Sequence, residues 1–348
     1  MSERLDPVTL SVLSSALSGI AEEMGAVLIR AAYSSNIKER RDCSAALFDA
    51  DGRMVAQAEH IPVHLGAMPE AVAAVMEREP RPGDVFAVND PFSGGTHLPD
   101  ITLVSPVAEG EPLADPLALI LANVRTPEVR RGDLRAQLAA HRLGTLRVAE
   151  ICARHGRDRV AAAMNELFSY SERGVRAALA RLPDGRFEAT DVLEAADGDL
   201  AVHVTVTLAG DEIEFDFAGT AAQHPGNLNC PMSVTRSACY FVVRCLTDPD
   251  LPASGGAFAP VAVAAPEGSL VNARPPAAVA AGNVETSCRI VDACFLALSE
   301  AIPVPAQGQG TMNNVTLGNE RFTYYETIGG GQGACPDADG PSPSGQAP

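Results

Sequence analysis

The chain lacks the signals that make several common functions legible. No G-x-x-x-x-G-K-[ST] segment occurs, so no P-loop is available to cradle a nucleotide. Gly329–Gly333 follows a predicted strand but is not followed by Lys and Ser or Thr. None of the eight cysteines is paired in C-x-x-C spacing, which argues against a zinc knuckle. No run of about 18 apolar residues is free of charges or turn formers, and the opening MSERLDPV has no apolar signal core. These two absences predict no membrane span, a cytoplasmic location and reduced cysteines buried in apolar helices. Basic residues are in deficit, with 26 Lys and Arg against 44 Asp and Glu and a formal net charge of −18. Phosphate backbones need clustered Lys and Arg, so nucleic acid is not expected as a partner. No internal repeat is visible.

With 46% hydrophobic content over 348 residues, the chain can bury a sizeable core as one large domain or two ordinary ones. Asp6-Pro7 reads as a helix start, and Leu13, Leu17, Ile20, Met24, Val27 and Ala31 then recur at steps of three and four, one apolar face of a long helix. Ala45–Phe48 and Met54–Ala58 flank the turn Asp49-Ala50-Asp51-Gly52 as a hairpin. IPVHLGAM at Ile61–Met68 reads as a loop or strand end feeding a helix over Pro69–Met76. Residues 127–182 are mostly helical, with Leu134, Leu138 and Leu143 proposed for a buried face. Val202, Val204, Val206 and Leu208 alternate, as do Ile213, Phe215 and Phe217, which predicts a hairpin with one wet face. Helices follow at Ser233–Leu246 and Val284–Ala301, and a strand group at Val315–Ile328. The fold class is therefore α+β, mixed sheets with long helices. The expected organisation is an N-terminal α/β part over 1–126, a helical segment over 127–185, an α+β part over 186–335 and a tail over 336–348 too poor in apolar residues to order itself.

The most informative stretch is NDPFSGGTHLPDITLVSPV, Asn89 to Val107. Two glycines deliver the backbone into a turn, His97 and Asp100 follow three residues apart, and an apolar run reads as a strand. A His and an Asp held at the mouth of a strand by a Gly-rich loop suit a metal or acid/base site. The plainer alternative is a loop His and Asp in local hydrogen bonds.

Five blocks together carry a resemblance: ERRDCSAALFD, IPVHLGAMP, NDPFSGGTHLPD, ILANVRTPEVRRGDLRAQ and AGNVETSCRIVD. In order along essentially the whole chain they resemble the hydantoinase B/oxoprolinase family. That resemblance implies a B-type subunit of an ATP-dependent ring-opening amidohydrolase for 5-oxoproline, hydantoins or lactams. ATP would be bound by a separate A-type subunit, in a hetero-oligomer acting on a small cyclic amide. The alternatives it leaves open are a subunit of an acetone or acetophenone carboxylase-like enzyme, and a truncated inactive remnant that retains only partner binding. It also implies a divalent metal, zinc or manganese, held by Asp42, His97, Asp100 and a further His. Asp42 has a competing reading as a salt-bridge residue among Lys38, Arg40 and Arg41. Asn283, Glu285, Thr286 and Ser287 are candidates to line the substrate pocket, or ordinary helix-start residues. Arg125 and Arg131 are candidate anion contacts, or solvated surface charge.

The chain departs from the family pattern in two places. After Ser105-Pro106-Val107 it jumps, near Leu113–Asp115, to the later helical region, and the family's R-A-H-H-A-D-V-G-G block with the fourth ligand is absent. It also stops shortly after G-G-G-Q-G, where members continue. The site therefore looks one ligand short. His64, in a matching loop, is the best spare ligand or catalytic substrate contact. His60 lies near it, His141 is expected to be solvated or packed in a helix, and His155, His203 and His224 read as surface or sheet positions.

Overall fold

The computed structural model describes residues 5–107, 120–122, 124, 126–319, 321–328, 330–335 and 337–340. It is an α+β chain of two compact units. One comprises Met1–Arg176 with Thr247–Pro260, the other Ala177–Leu246 with Val261–Pro348. The junction near Leu113–Asp115, Arg125 and the end of the tail lie outside the described residues.

The first unit is organised around α1, Pro7–Ala31. Asp6 caps it, its carboxylate accepting from the Thr9 N–H at 2.9 Å, and Pro7 fills a first-turn position whose N–H would have no helical partner. Leu13, Leu17, Ile20, Met24 and Leu28 are buried along one face. At 25 residues this apolar helix is long enough to cross a bilayer. It carries Glu22, Glu23 and two glycines, and its apolar face is covered by protein, as in a core helix. A short helix α2, Ser35–Lys38, turns the chain after α1. The hairpin β1, Ser44–Phe48, and β2, Met54–Glu59, packs against α1 in antiparallel register.

Helix α3 spans His64–Met76. It starts five residues before the expected Pro69, so His64 is the first helical residue instead of a loop residue. Pro69 lies inside the helix as its sixth residue and removes the N–H that would bond Leu65 O, while the turn before it is closed by His64 N–H to Ile61 O at 3.2 Å and Leu65 N–H to Pro62 O at 3.0 Å. Strands β3, Phe86–Val88, and β4, Thr102–Val104, pair antiparallel around the Gly-Gly loop.

The long helical region divides at Gly156, which adopts φ +84°, into α4, Pro127–His155, and α5, Arg157–Leu179. Helix α4 does not use the expected leucine face alone. Leu134 is buried, while Leu138 and Leu143 are only half-buried. Its fully buried line is Gly132, Ala136, Ala140 and Gly144, one small residue every fourth position, and α4 packs along α1. A Cβ at Gly132 would lie 2.3 Å from the Tyr33 ring, and one at Gly144 would lie 2.4 Å from the Met24 sulfur. Beside that line, Asp133 is buried and accepts from the Tyr33 and Ser34 N–H groups, at 2.8 and 3.0 Å. Farther along, Gln137 donates to Ile101 O at 3.0 Å, and His141 Nδ1 lies 2.8 Å from Ser105 Oγ.

The second unit carries a four-stranded sheet in the order β5-β6-β7-β8. Strands β5, Gly185–Ala195, β6, Gly198–Ala209, and β7, Glu212–Asp216, are antiparallel; β8, Val261–Ala264, adds on parallel to β7. Val202, Val204, Val206, Ile213, Phe215 and Phe217 form its buried face. Helices α6, Met232–Leu246, and α7, Ser287–Leu298, pack on each other, and α7 lies on β5 and β6. A separate hairpin pairs β9, Asn313–Gly318, with β10, Thr323–Ile328.

Burial holds His141 below its ordinary value of 6.5, although its hydrogen bond to the Leu103 backbone opposes the shift. The unfolded chain therefore takes up a proton near pH 6.5 while the folded chain resists it. His141 contributes its full share of stability above pH 6.5 and loses it as pH falls below that value. Thermal melts from pH 7.5 to pH 5.5 should show wild type losing stability more steeply than His141→Gln; parallel profiles would remove His141 from the pH response.

Candidate metal and acid/base site

Three of the singled-out residues, His64, His97 and Asp100, come together in the first unit, and Asp42 lies within reach of their charge. Asp42 follows Arg41, a non-glycine residue at φ +55°, and the turn is closed by Cys43 N–H to Arg41 O at 2.7 Å. Left-handed backbone at an arginine costs conformational energy, so the turn is held by its surroundings. The Asp42 N–H donates to Asn36 O at 3.0 Å, and the Asn36 amide donates to the Asp42 carboxylate at 3.4 Å. His64 is placed by the start of α3, with its Nδ1 2.9 Å from Ser44 Oγ on β1.

His97 and Asp100 are placed by glycine. Asp90 begins the loop by accepting from the Phe92 N–H and the Ser93 hydroxyl, at 3.0 and 2.9 Å. Gly94 then adopts φ +93° and sits so close to α3 that a Cβ would lie 2.1 Å from the Ala71 nitrogen. That approach carries the T-H-L-P-D turn to the end of α3 where His64 stands. Asp100 is the hub. Its Oδ1 lies 3.0 Å from His97 Nε2, its Oδ2 lies 4.0 Å from His64 Nε2, and Thr96 Oγ1 donates to Oδ2.

Electrostatics ties Asp42 to the other three. Burial pushes its carboxyl up, as does the Asp100 charge, while His64, His97 and Arg40 pull it down; the net direction is upward. For Asp100 burial is also the largest single influence, but the hydrogen bond and charge of His97, then His64 and Thr96, outweigh it and hold the carboxyl below its ordinary range. Among the described residues, no three His, Cys, Asp or Glu side chains stand in the closed geometry of a ready-made metal group.

The donors nevertheless suit a hard or borderline divalent cation: two imidazoles and two carboxylates. Ligands about 2 Å from one ion stand some 3–4 Å apart, and the His97–Asp100 and His64–Asp100 pairs, at 3.0 and 4.0 Å, have that spacing. Ser44 at Nδ1 leaves Nε2 of His64 as the nitrogen turned to Asp100. Sequence reasoning missed Ser44, Thr96 and Asn36, since a hydroxyl or amide next to a candidate ligand carries no pattern of its own.

In the second unit, Asn283, Glu285, Thr286 and Ser287 occupy a π-helical turn, Gly282–Thr286, running into α7. Thr286 is fully buried and donates to Leu228 O; Ser287 donates to Asn283 O at 2.7 Å. Glu285 accepts from Thr311 Oγ1 and the Met312 N–H, both at 3.4 Å. Arg131 pairs with Glu128 at 3.7 Å on the surface of α4. His60 packs against Gly25 of α1, and His224 pairs with Asp197 at 2.8 Å.

The family model for hydantoinase B/oxoprolinase matches residues 6–114 and 107–347. The chain belongs to the hydantoinase B/oxoprolinase family. An uncharacterized protein of Methanocaldococcus jannaschii is 36% identical over 384 residues, covering 94% of this chain and 68% of that protein. The 5-oxoprolinase 1 of Arabidopsis thaliana is 34% identical over 413 residues, covering 97% of this chain and 32% of its own length. A Pseudomonas protein named as the putative B-type subunit of a D-/L-hydantoinase is 29% identical, covering 94% of this chain and 67% of its own. The crystal structure of the ATP-dependent caprolactamase of Pseudomonas jessenii superposes with a TM-score of 0.89 at 27% identity, over 99% of this chain and 70% of that one. Nucleotide-free acetone carboxylase shares the fold, with a TM-score of 0.87 at 16% identity over 98% of this chain and 56% of that one.

This hydantoinase B/oxoprolinase member thus spans about a third of the plant 5-oxoprolinase it matches. The 413 aligned positions exceed its 348 residues, so at least 65 positions of the relative have no counterpart here. The family match falls into two stretches that meet at residues 107–114, at the junction inferred from the missing His-rich block.

The contact at Gly94 generates a direct test. Gly94→Ala forces both a left-handed alanine and a clash with the α3 backbone, and should cost about 2–4 kcal/mol. Urea unfolding of the two proteins measures it; an unchanged midpoint would mean that the loop does not sit on α3 as described.

Proposed function

We propose that this chain is the B-type subunit of an ATP-dependent amidohydrolase that opens a small cyclic amide such as 5-oxoproline, a hydantoin or a lactam. The observation that carries the reading is the convergence of His64 and His97 on Asp100, with Asp42 coupled to them by charge. Family membership supplies the class of reaction, and the names of the plant, Pseudomonas and caprolactamase relatives support a cyclic amide.

In this reading Asp42, His97 and Asp100 hold a zinc or manganese ion, and His64 stands in for the ligand of the absent block or acts beside it as a base. The ion, when bound, lowers the pKa of water and polarises a carbonyl oxygen. The residues themselves do the rest. Asp100 keeps its negative charge because His97 and Thr96 hold its carboxylate. Ser44 fixes the His64 ring so that Nε2 faces the site and can accept a proton there. Asp42 is half-buried and feels the charge of Asp100, a repulsion that a cation would relieve. ATP is used by an A-type partner, whose phosphorylation of the ring amide turns a poor electrophile into one with a good leaving group. The naming of the Pseudomonas relative as the B-type member of a hydantoinase supports such a partner. In the second unit the Thr286 and Ser287 hydroxyls are engaged by backbone carbonyls. The Glu285 carboxylate is likewise engaged, by the Thr311 hydroxyl and the Met312 N–H, and Asn283, Glu285, Thr286 and Ser287 together are the residues proposed to line the substrate pocket.

A second reading, an inactive remnant that binds the partner only, is favoured by the at least 65 missing positions. Metal content separates the two. After dialysis against a weak chelator, wild type, one ligand short, should keep zinc or manganese at low occupancy, and the double variant His97→Ala, Asp100→Ala should lose it. Equal metal content in both would sink the metal reading and leave the remnant.

The partner is tested separately. The isolated chain should turn over no ATP, whereas the complex with an A-type subunit should hydrolyse ATP faster when 5-oxoproline, a hydantoin or caprolactam is added. Robust ATPase activity of the isolated chain would contradict the division of labour.

A further inference from the structure

We propose that Asp133, Gln137 and His141, one polar stripe on α4, form the positioning element that sets the Asp42 turn and the T-H-L-P-D loop at their working separation. The inference rests on the metal reading of the site given above. The three residues are four apart, so they lie on one face of the helix at steps of about 6 Å. Each reaches chain that leads into a proposed ligand. Asp133 takes the Tyr33 and Ser34 N–H groups on one carboxylate oxygen, while Arg130 donates to the other at 3.0 Å. Ser34 is the cap of α2, accepting from the Ile37 N–H at 3.4 Å, and the next residue but one, Asn36, holds Asp42 by backbone and side chain. Gln137 holds the Ile101 carbonyl, immediately after Asp100. His141 holds Ser105 and the Leu103 backbone farther along the same strand.

Buried polar groups normally find hydrogen bonds, and that alone would explain any one of these contacts. The geometry goes further because one rigid stripe grips both ligand-bearing segments. Asp133 and Gln137 grip them by the backbone, which fixes where the chain runs and not only where a side chain points. Gln137 and His141 follow the shortened connection, while Ile101 and Ser105 precede it. The same stripe therefore ties together the two sides of the junction at which the family match divides. The adjacent small-residue line lets α4 lie close enough to α1 for Asp133 to reach the corner.

The test uses the full chain with zinc as the probe. Zinc affinity is measured by competition with a chromogenic chelator, and amide hydrogen exchange is followed by mass spectrometry over 33–43 and 97–105. Asp133→Ala should weaken zinc by about 10- to 100-fold, as loss of a group supporting metal ligands does, and should speed exchange in 33–43 more than in the β1–β2 hairpin. Asp133→Asn keeps an oxygen that accepts the same two N–H bonds and should restore most of both. Gln137→Leu should show the corresponding pattern in 97–105, and it carries the test if Asp133→Ala does not fold. Unchanged affinity with only a lowered melting temperature, or exchange rising evenly along the chain, would overturn the proposal. If wild type binds no zinc, the metal reading fails, and the exchange pattern with its rescue by Asn decides the positioning role alone.

Discussion

The close approach of α1 and α4 is the constraint on which the first unit depends. Two helices normally stand 8–10 Å apart, at a distance set by the side chains between them. Here Gly132, Ala136, Ala140 and Gly144 put almost nothing between them, and Tyr33 and Met24 occupy the space where side chains would otherwise project. Close packing of this kind gains dispersion contacts along the whole line and tolerates no enlargement. It brings the short polar side chain of Asp133 within reach of the corner after α1. The loop bearing His97 and Asp100 depends on a second contact of the same kind, Gly94 against Ala71. Both halves of the site are therefore positioned by glycines whose value lies in the side chain they lack.

Where one physical signal dominated, the fold was legible in the sequence. Leu13, Leu17, Ile20 and Met24 follow helical periodicity, and they are buried; by the end of the helix the stripe has drifted, and Leu28 is buried in place of the expected Val27. Alternation in Val202 to Leu208 and in Ile213 to Phe217 identified the central strands of the sheet correctly, because a strand with one wet face writes its period directly into hydrophobicity. The signal failed on α4. A rule that looks for large apolar residues picks Leu134, Leu138 and Leu143, whereas close helix contact is made by the small ones. It failed again at His64, where Pro69 reads as a helix start and conceals the turn of helix before it.

The site was legible as a set of residue types and less so as an arrangement. His97, Asp100 and the Gly-Gly loop announce themselves locally, since the turn and the side chains lie within a dozen residues. Asp42 and His64 are distant in sequence, and only the family resemblance joined them to the loop. The residues that orient them, Ser44, Asn36 and Thr96, are single hydroxyls and an amide that occur everywhere on protein surfaces. Asp133, Gln137 and His141 did leave a trace, a polar residue at every fourth position next to a small-residue line, but its meaning depends on knowing what α4 faces.

The β9–β10 hairpin has a different consequence. Its paired residues place Val315, Leu317, Tyr324 and Ile328 on one face, each 38–50% exposed. A lone two-stranded ribbon with an oily side has little to hold it flat in water and offers unpaired strand edges to any similar ribbon it meets. Against this stands the chain's net charge of −18, which repels one molecule from another over a distance set by salt. The colloidal behaviour of the protein is then a contest between a short-range sticky patch and a long-range negative cloud. Ionic strength shifts the balance, with molecules held apart in dilute buffer and drawn together when salt thins the cloud.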